Sequence, residues 1–164
     1  METFYKLARV NYARSAIFCI PSVDGNVFMC VNRTNALNEE RYVVEVDTHR
    51  FLSLWRNTTD SNHAAIARGN SVAWKQDRKL LEAKAGFAQG EANPVPLAEV
   101  SCFLDTKKIR INIVNGVTRT IYLMVVQVEK FPVECMGIKQ ARLLQEFAGL
   151  PNGHFKTVEE LIPG

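Results

Sequence analysis

Short apolar runs separated by turn-forming residues predict a strand-rich first third of the chain. Ala16–Ile20 and Val27–Val31 flank a hexapeptide that contains an Asp-Gly pair, and this order predicts a β-hairpin. Tyr42–Val46 is a third predicted strand. Asp47 is then a suitable N-cap for a helix over Thr48–Arg56, whose apolar side chains fall on one broad face.

The rest of the chain mixes predicted helices with predicted strands. Ser71–Gln89 is rich in helix formers and is followed by Gly90, which predicts one long helix. The other predicted elements are a loop over 57–70, strands over 95–103, 109–114 and 131–135, a helix over 139–148 with Leu143, Leu144 and Phe147 inward, and a last short helix around Val158, Leu161 and Ile162. These elements predict an α+β protein of one domain over residues 1–164, with a β-rich part over 1–60.

The most informative stretch is Ile109–Met124, where a strand-like run meets an Asn115-Gly116 turn and then a second apolar run. One interpretation is a strand that ends in glycine and a helix that begins there. Such a helix N-terminus offers free N–H groups, and Arg119 adds a planar set of donors that suits phosphate oxygens. The other interpretation is a β-hairpin, since Asn-Gly is also a strong hairpin signal. Short β-branched runs do not distinguish strand from helix, so the residues leave both open.

Composition and charge narrow the class of protein. The 164 residues suffice for one domain, and a hydrophobic content of 47% is typical of a soluble globular chain. The net charge of +3 permits contact with nucleic acid without requiring it. No apolar run reaches the ~18 residues of a membrane span, and the N-terminus lacks a secretory pattern, so we expect a cytoplasmic protein without membrane insertion. The four cysteines lack metal-binding or redox spacing.

The segments PVPLAEV, NGVTRT and FPVEC follow one another in an order that resembles the core of the ParB/sulfiredoxin superfamily, over about residues 71–150. In that superfamily, a G-x-x-R turn at the start of a helix lies between two proline-containing strands and forms a nucleotide pocket. The corresponding turn in this chain is Gly116–Arg119. Within that superfamily, the chain looks most like the plasmid fertility-inhibition proteins of the Osa and FiwA type. The segments that carry this likeness also include Phe51–Trp55, Trp74 with Asp77 and Lys79, and Asn93–Leu97.

The resemblance implies a mixed ParB/sulfiredoxin-like core with an N-terminal β-hairpin and helix extension. It implies a plasmid product that blocks conjugative or T-DNA transfer through type IV secretion, by acting on the coupling protein or on its DNA substrate. ATP or another nucleotide and Mg²⁺ are the implied cofactors, and ATPase and DNase activities the implied chemistry. Sulfiredoxin itself is a poor match, because Val117-Thr118 replaces the cysteine that it needs in this turn. The alternative is a non-catalytic module that binds the coupling protein.

Arg119 is the first candidate ligand of a phosphate, with Gly116 three residues earlier in the turn. Thr118 and Thr120 are candidate hydroxyl contacts or helix caps, and Asn115 is either a ligand or a residue that tolerates a left-handed turn. The resemblance adds Lys79 as a nucleotide ligand.

Asp77 and Glu134 are candidate catalytic residues and candidate Mg²⁺ ligands. Trp74, Asp77 and Leu81 would share one face of the long predicted helix, where a carboxylate either binds a metal or pairs with a neighbouring basic residue. Cys135 would be a nucleophile only with a stabilised thiolate and is otherwise a packed strand residue.

Seven arginines occur in the first 70 residues and alternate with aromatic residues: Arg9, Arg14, Arg33, Arg41, Arg50, Arg56 and Arg68. If these arginines share one face, that face would bind a DNA backbone or an acidic protein. If they are scattered, they only keep the surface of the sheet hydrated. None of the three histidines stands beside a nucleophile and an acidic residue in the pattern of a hydrolase.

Overall fold

Two mixed β-sheets with helices packed around them make up the computed structural model, which describes residues 1–34 and 40–164. The strands are β1 (Phe4–Val10), β2 (Ala13–Ser22), β3 (Gly25–Asn32), β4 (Arg41–Asp47), β5 (Val95–Pro96), β6 (Ala98–Asp105), β7 (Lys108–Asn115), β8 (Lys130–Met136) and β9 (Lys156–Thr157). The helices are α1 (Thr48–Trp55), α2 (Ala64–Ala67), α3 (Ser71–Lys75), α4 (Leu80–Ala88), α5 (Val117–Val125), α6 (Ile138–Ala148) and α7 (Val158–Leu161), with a 3₁₀ turn at Gly90–Ala92. The predicted α+β class is confirmed.

The N-terminal sheet has the strand order β1-β2-β3-β5. Its centre is the predicted hairpin of β2 and β3, which turns at Val23 and Asp24; Gly25, the first residue of β3, has a φ of +106°. β1 was not predicted, because its sequence does not alternate cleanly and it lies at an edge. The side chains of Phe4 and Leu7 are 37% and 46% exposed there.

The larger sheet has the order β7-β6-β8-β4-β9. Its central strands are covered on both faces, which explains why Tyr42–Val46 is almost continuously apolar rather than alternating. Helix α1 packs on one face, where the rings of Phe51 and Phe131 meet edge to face with centroids 5.2 Å apart. Asp47 caps this helix as predicted, since its carboxylate accepts the N–H of Arg50 at 2.9 Å.

The single long helix predicted over Ser71–Gln89 is wrong, because the segment forms α3 and α4 with a break between them. The carboxylate of Asp77 accepts the N–H of Lys79 at 2.8 Å and thereby competes with helix formation at this point. Leu81 is 74% exposed whereas Trp74 is 4% exposed, so the apolar face predicted for Trp74, Asp77 and Leu81 does not exist.

In the last third of the chain, the predicted elements agree with the structure more closely. Helix α6 is present, with Leu144 fully buried, but Phe147 is 39% exposed instead of facing inward. The last short helix is α7, which begins with a reciprocal capping box between Thr157 and Glu160. The predicted loop over 57–70 contains the one-turn helix α2. Among the described residues, no helix combines the length and the apolar character that crossing a membrane requires.

Candidate functional site

The Asn115-Gly116 turn joins strand β7 to helix α5, so the strand–glycine–helix interpretation is confirmed and the hairpin is excluded. Gly116 adopts a φ of +108°, a left-handed conformation that side chains rarely allow. A Cβ atom at this position would lie 3.0 Å from both Cα and Cβ of Ala98. Glycine is therefore required both by the backbone angle and by the close approach of α5 to β6.

The first turn of α5 has no side-chain cap. The first backbone hydrogen bond of this helix runs from the N–H of Thr120 to the carbonyl of Gly116 at 3.0 Å. The three preceding N–H groups, those of Val117, Thr118 and Arg119, come before that bond and point out of the helix end. A nine-residue helix with an open N-terminus favours an anion at this position.

Arg119 lies half-buried beside this turn. Its Nη1 atom donates to the carbonyls of Pro96 and Leu97, both at 3.0 Å, while its Nη2 atom is 3.5 Å from Oδ1 of Asn115. Burial lowers the pKa of Arg119, whereas the nearby carboxylate of Glu99 raises it. The two carbonyls hold the guanidinium in place and leave Nε and much of Nη2 for an anionic ligand.

The other predicted ligands divide into two groups. Asn115 is exposed and Thr118 is half-buried, and both lie in the turn itself. Thr120 is fully buried and its hydroxyl donates to the carbonyl of Gly116 at 2.8 Å, so it faces the interior of the fold rather than the helix end. Lys79 is exposed at the start of α4, where its N–H bonds to Asp77.

Glu134 lies in a row of polar residues that crosses three strands. Glu99 on β6 is the register partner of Glu134 on β8, and on its other side it pairs with Asn115 on β7. Partners on neighbouring strands point to the same face, so the two carboxylates are neighbours, with Glu99 beside Asn115 and Glu134 one strand further from the turn. Arg41 forms an ion pair with Glu134 at the far end of the row. We call Gly116, Arg119, Asn115, Glu99 and Glu134 the phosphate-turn site.

Asp77 does not belong to this row. It lies in the turn between α3 and α4, where its carboxylate already bonds to the N–H of Lys79. Within residues 1–34 and 40–164, no group of three or more histidine, cysteine, aspartate or glutamate side chains is arranged to bind a metal. The carboxylate that the structure places beside the turn is that of Glu99, and Glu134 is its neighbour on the next strand.

Glu99 is the site residue that sequence reasoning missed, and the ion pair of Arg41 with Glu134 was not foreseen either. Alternation gave a signal for Glu99, because Ala98, Val100 and Cys102 are buried and place it on the opposite face of β6. Its neighbour Glu134 depends on the parallel pairing of β6 with β8, which joins segments more than thirty residues apart. No local pattern reveals such a pairing.

A cleft of 810 Å³ lies at the other end of α5, away from the phosphate-turn site. Leu52, Trp74, Met124 and Val128 provide its apolar surface. The buried hydroxyl of Thr48 in its wall has no hydrogen-bond partner. None of the residues of the phosphate-turn site lines it.

The seven N-terminal arginines do not share one face. Arg50, Arg56 and Arg68 donate to backbone carbonyls around α6, α2 and α1 respectively, and Arg41 pairs with Glu134. The remaining three, Arg9, Arg14 and Arg33, gather at one end of the N-terminal sheet. A DNA-binding face made of all seven is therefore wrong.

Three of the four thiols are buried in strands. Burial raises the pKa of Cys30 and of Cys102 to about 11 and that of Cys135 to about 12. A thiol with so high a pKa is not a nucleophile near neutral pH, so Cys135 is a packing residue.

We expect Ellman's reagent at pH 8 to leave these three thiols unmodified in the folded protein and to react with all four after denaturation. In addition, the ordinary thiol pKa of 9.0 applies to the unfolded chain, so the folded state retains these protons to a higher pH. Up to pH 9 these thiols should therefore leave the free energy of unfolding unchanged. Between pH 9 and 12 they should lower it, because the unfolded chain loses these protons first. Rapid modification of Cys135 in the native protein would contradict this assignment.

A family model described as plasmid fertility inhibition factor matches residues 43–149. Protein osa of Shigella flexneri is 35% identical over 75 residues, which make up 46% of this chain and 40% of that protein. The match thus spans less than half the length of this curated relative.

Among solved structures, the gold(I) cyanide derivative of Oncogenic Suppression Activity Protein, described as a plasmid fertility inhibition factor, has a TM-score of 0.78. The sequence identity is 25%, and the superposition covers 95% of this chain and 79% of the other. The broader likeness to the ParB/sulfiredoxin superfamily stays a prediction. The family model includes the whole phosphate-turn site and more than half of the sequence. The chain therefore belongs to the plasmid fertility inhibition factor family.

Proposed function

We propose that this chain inhibits plasmid transfer through a phosphate-binding pocket at the phosphate-turn site. Its ligand is ATP or another nucleotide, or the backbone of DNA. The target is the coupling protein of a type IV secretion system or the DNA that this protein delivers, and the inhibited process is the transfer of a competing conjugative plasmid or of T-DNA. The observation that carries this proposal is the open, left-handed glycine start of α5 with Arg119 fixed beside it.

Phosphate binding follows from the charges and donors of this turn. The first N–H groups of α5 lie in the same helical turn as Arg119, whose Nη1 is held by two carbonyls, so both kinds of donor would serve one anion at this helix end. During hydrolysis of a phosphoryl group, Arg119 would stabilise the negative charge that develops on its oxygens. The proposed ATPase and DNase activities both require this stabilisation.

Mg²⁺ fits the carboxylates beside the turn. Protein sites bind it through one or two carboxylates together with phosphate oxygens. Glu99 is exposed and would supply one ligand, whereas Glu134 would supply a second only by exchanging its contact with Arg41. When bound, the ion would neutralise phosphate charge.

The test is a titration of the purified protein with ATP and with CTP, with and without Mg²⁺. We expect a rise in melting temperature because a ligand that binds only the folded state stabilises it, and we expect release of phosphate. Arg119→Ala should lose both effects, while Arg142→Ala, which removes an exposed arginine from α6, should retain them. Stabilisation without release would leave a nucleotide-gated inhibitor, and no response to either nucleotide would refute nucleotide binding at this pocket.

The second candidate function is a non-catalytic module that binds the coupling protein and blocks delivery of its substrate. It is favoured by the absence of a three-ligand metal cluster from the described part of the chain, since metal-dependent nucleases commonly hold two ions. A conjugation assay in cells separates the two candidates. If Arg119→Ala stays folded and still inhibits transfer, phosphate chemistry is not the mechanism.

A further inference from the structure

The hairpin between β1 and β2 ends in an aromatic side chain that has no packing role. Asn11 and Tyr12 form its turn with φ angles of 51° and 67°. Tyr12 is 96% exposed, so its ring has almost no contact with the rest of the fold. An exposed aromatic ring at the tip of a rigid hairpin is available to stack on a flat ligand.

Three arginines surround this tip. Arg9, Arg14 and Arg33 line a cleft of 480 Å³ together with Tyr12. Arg9 donates from Nη1 to the carbonyl of Tyr12 at 3.1 Å, which fixes the turn. Arg14 and Arg33 each donate from one nitrogen to a backbone carbonyl near the C-terminal end, at Pro163 and Ile162.

These three guanidinium groups keep donors free, and the carboxylate of Gly164, which also lines the cleft, would offset at most one of their three charges. Each has five N–H bonds and uses one nitrogen in the contacts above. Among the residues that the structure describes, no carboxylate lies within 4.0 Å of any of them, whereas Arg41 and Arg110 each have one. The carbonyl contacts fix the direction of the side chains without cancelling their charge, so the cleft favours an anion with several charges.

We propose that this end of the N-terminal sheet binds single-stranded nucleic acid. The arginines would contact successive phosphates, and Tyr12 would stack on an unpaired base. An acidic peptide would pair with the arginines but would leave the exposed ring of Tyr12 without a function. A duplex keeps its bases stacked on one another, so it offers no free base to this ring. None of these residues belongs to the phosphate-turn site, so the inference goes beyond the proposed function and does not depend on it.

The test measures the fluorescence anisotropy of a short labelled oligothymidylate with the full chain, without nucleotide or metal. We expect Tyr12→Asn to weaken binding about tenfold, and Tyr12→Phe to bind as the parent does, because stacking needs only the ring. Asn tolerates the left-handed backbone of this turn, so the fold is retained. Arg9→Gln and Arg14→Gln should each reduce the slope of log affinity against log salt by about 0.7, the value for one phosphate contact of a single strand.

Lys108→Gln is the matched control, because it removes one exposed charge from a different hairpin, at the start of β7. It should leave the affinity and the salt slope close to those of the parent. Equal losses from Lys108→Gln and Arg9→Gln would overturn the proposal, because they would indicate only a general charge effect. Binding of polyglutamate but not of oligothymidylate, or a Tyr12→Asn variant with full affinity, would overturn it as well.

Discussion

Gly116→Ala is expected to lower the free energy of unfolding by about 2–4 kcal/mol. Two effects add at this position. Alanine must adopt the φ of +108°, and its Cβ must fit 3.0 Å from the Cα and Cβ of Ala98. Backbone atoms of a central strand cannot move away cheaply, so β6 and α5 must separate. Since 1 kcal/mol corresponds to about 2–4 °C in a chain of this size, the melting temperature should fall by about 4–16 °C.

Gly25→Ala is the matched control. Gly25 has nearly the same backbone angle, with a φ of +106°, but no atom lies within 4 Å of a Cβ built on it. Its loss of stability should therefore contain the backbone term alone, about 1–2 kcal/mol. Thermal and urea unfolding of the two variants isolate the packing term as their difference. Equal losses in the two variants would show that the contact between α5 and β6 contributes nothing.

The same substitution would disturb ligand binding. The added Cβ would lie 3.1 Å from Cδ of Arg119, so the arginine side chain must shift by a few tenths of an ångström and its hydrogen bonds to the carbonyls of Pro96 and Leu97 should weaken. Nucleotide-induced stabilisation should therefore be weaker in Gly116→Ala than in Gly25→Ala, even below the melting temperature of both. Gly116 thus links the stability of the fold to the position of Arg119.

Local chemistry predicted those elements whose signals lie within a few residues. The Asp47 cap, the β2–β3 hairpin and the end of α6 each depend on neighbours in sequence, and each is present. The stretch around Gly116 was ambiguous, because an Asn-Gly turn between apolar runs suits both a hairpin and a helix start. The packing of α5 against Ala98 decides between them, and this contact is not local.

Only the part of the candidate site that lies within one short segment could be predicted from the sequence. Arg119 and Gly116 lie in one short motif and could be identified together. Glu99 comes beside Glu134 only through the parallel register of β6 and β8. Asp77 looked like a site residue because a continuous helix was assumed, and a single side-chain hydrogen bond to Lys79 interrupts that helix.

Glu134→Leu is expected to destabilise the chain by about 3 kcal/mol, because it leaves the charge of Arg41 unpaired in a nearly buried position. The side chains of Arg41 and Glu134 are 14% and 9% exposed. Arg41 also donates to the carbonyl of Asn32 at 2.9 Å and so joins the end of β3 to β4. Its charge cannot move into solvent without breaking this contact.

The double variant Arg41→Leu with Glu134→Leu separates the loss of the pair from the burial of a lone charge. Replacement of a buried ion pair by apolar residues is often close to neutral, so the double variant should be more stable than Glu134→Leu alone. Urea unfolding of the two single variants and the double variant gives the coupling energy directly. Additive losses would mean that Arg41 and Glu134 do not interact in solution. Glu134 would then be free to join Glu99 as a metal ligand, and Mg²⁺ should stabilise the parent protein without any exchange of partners at Arg41.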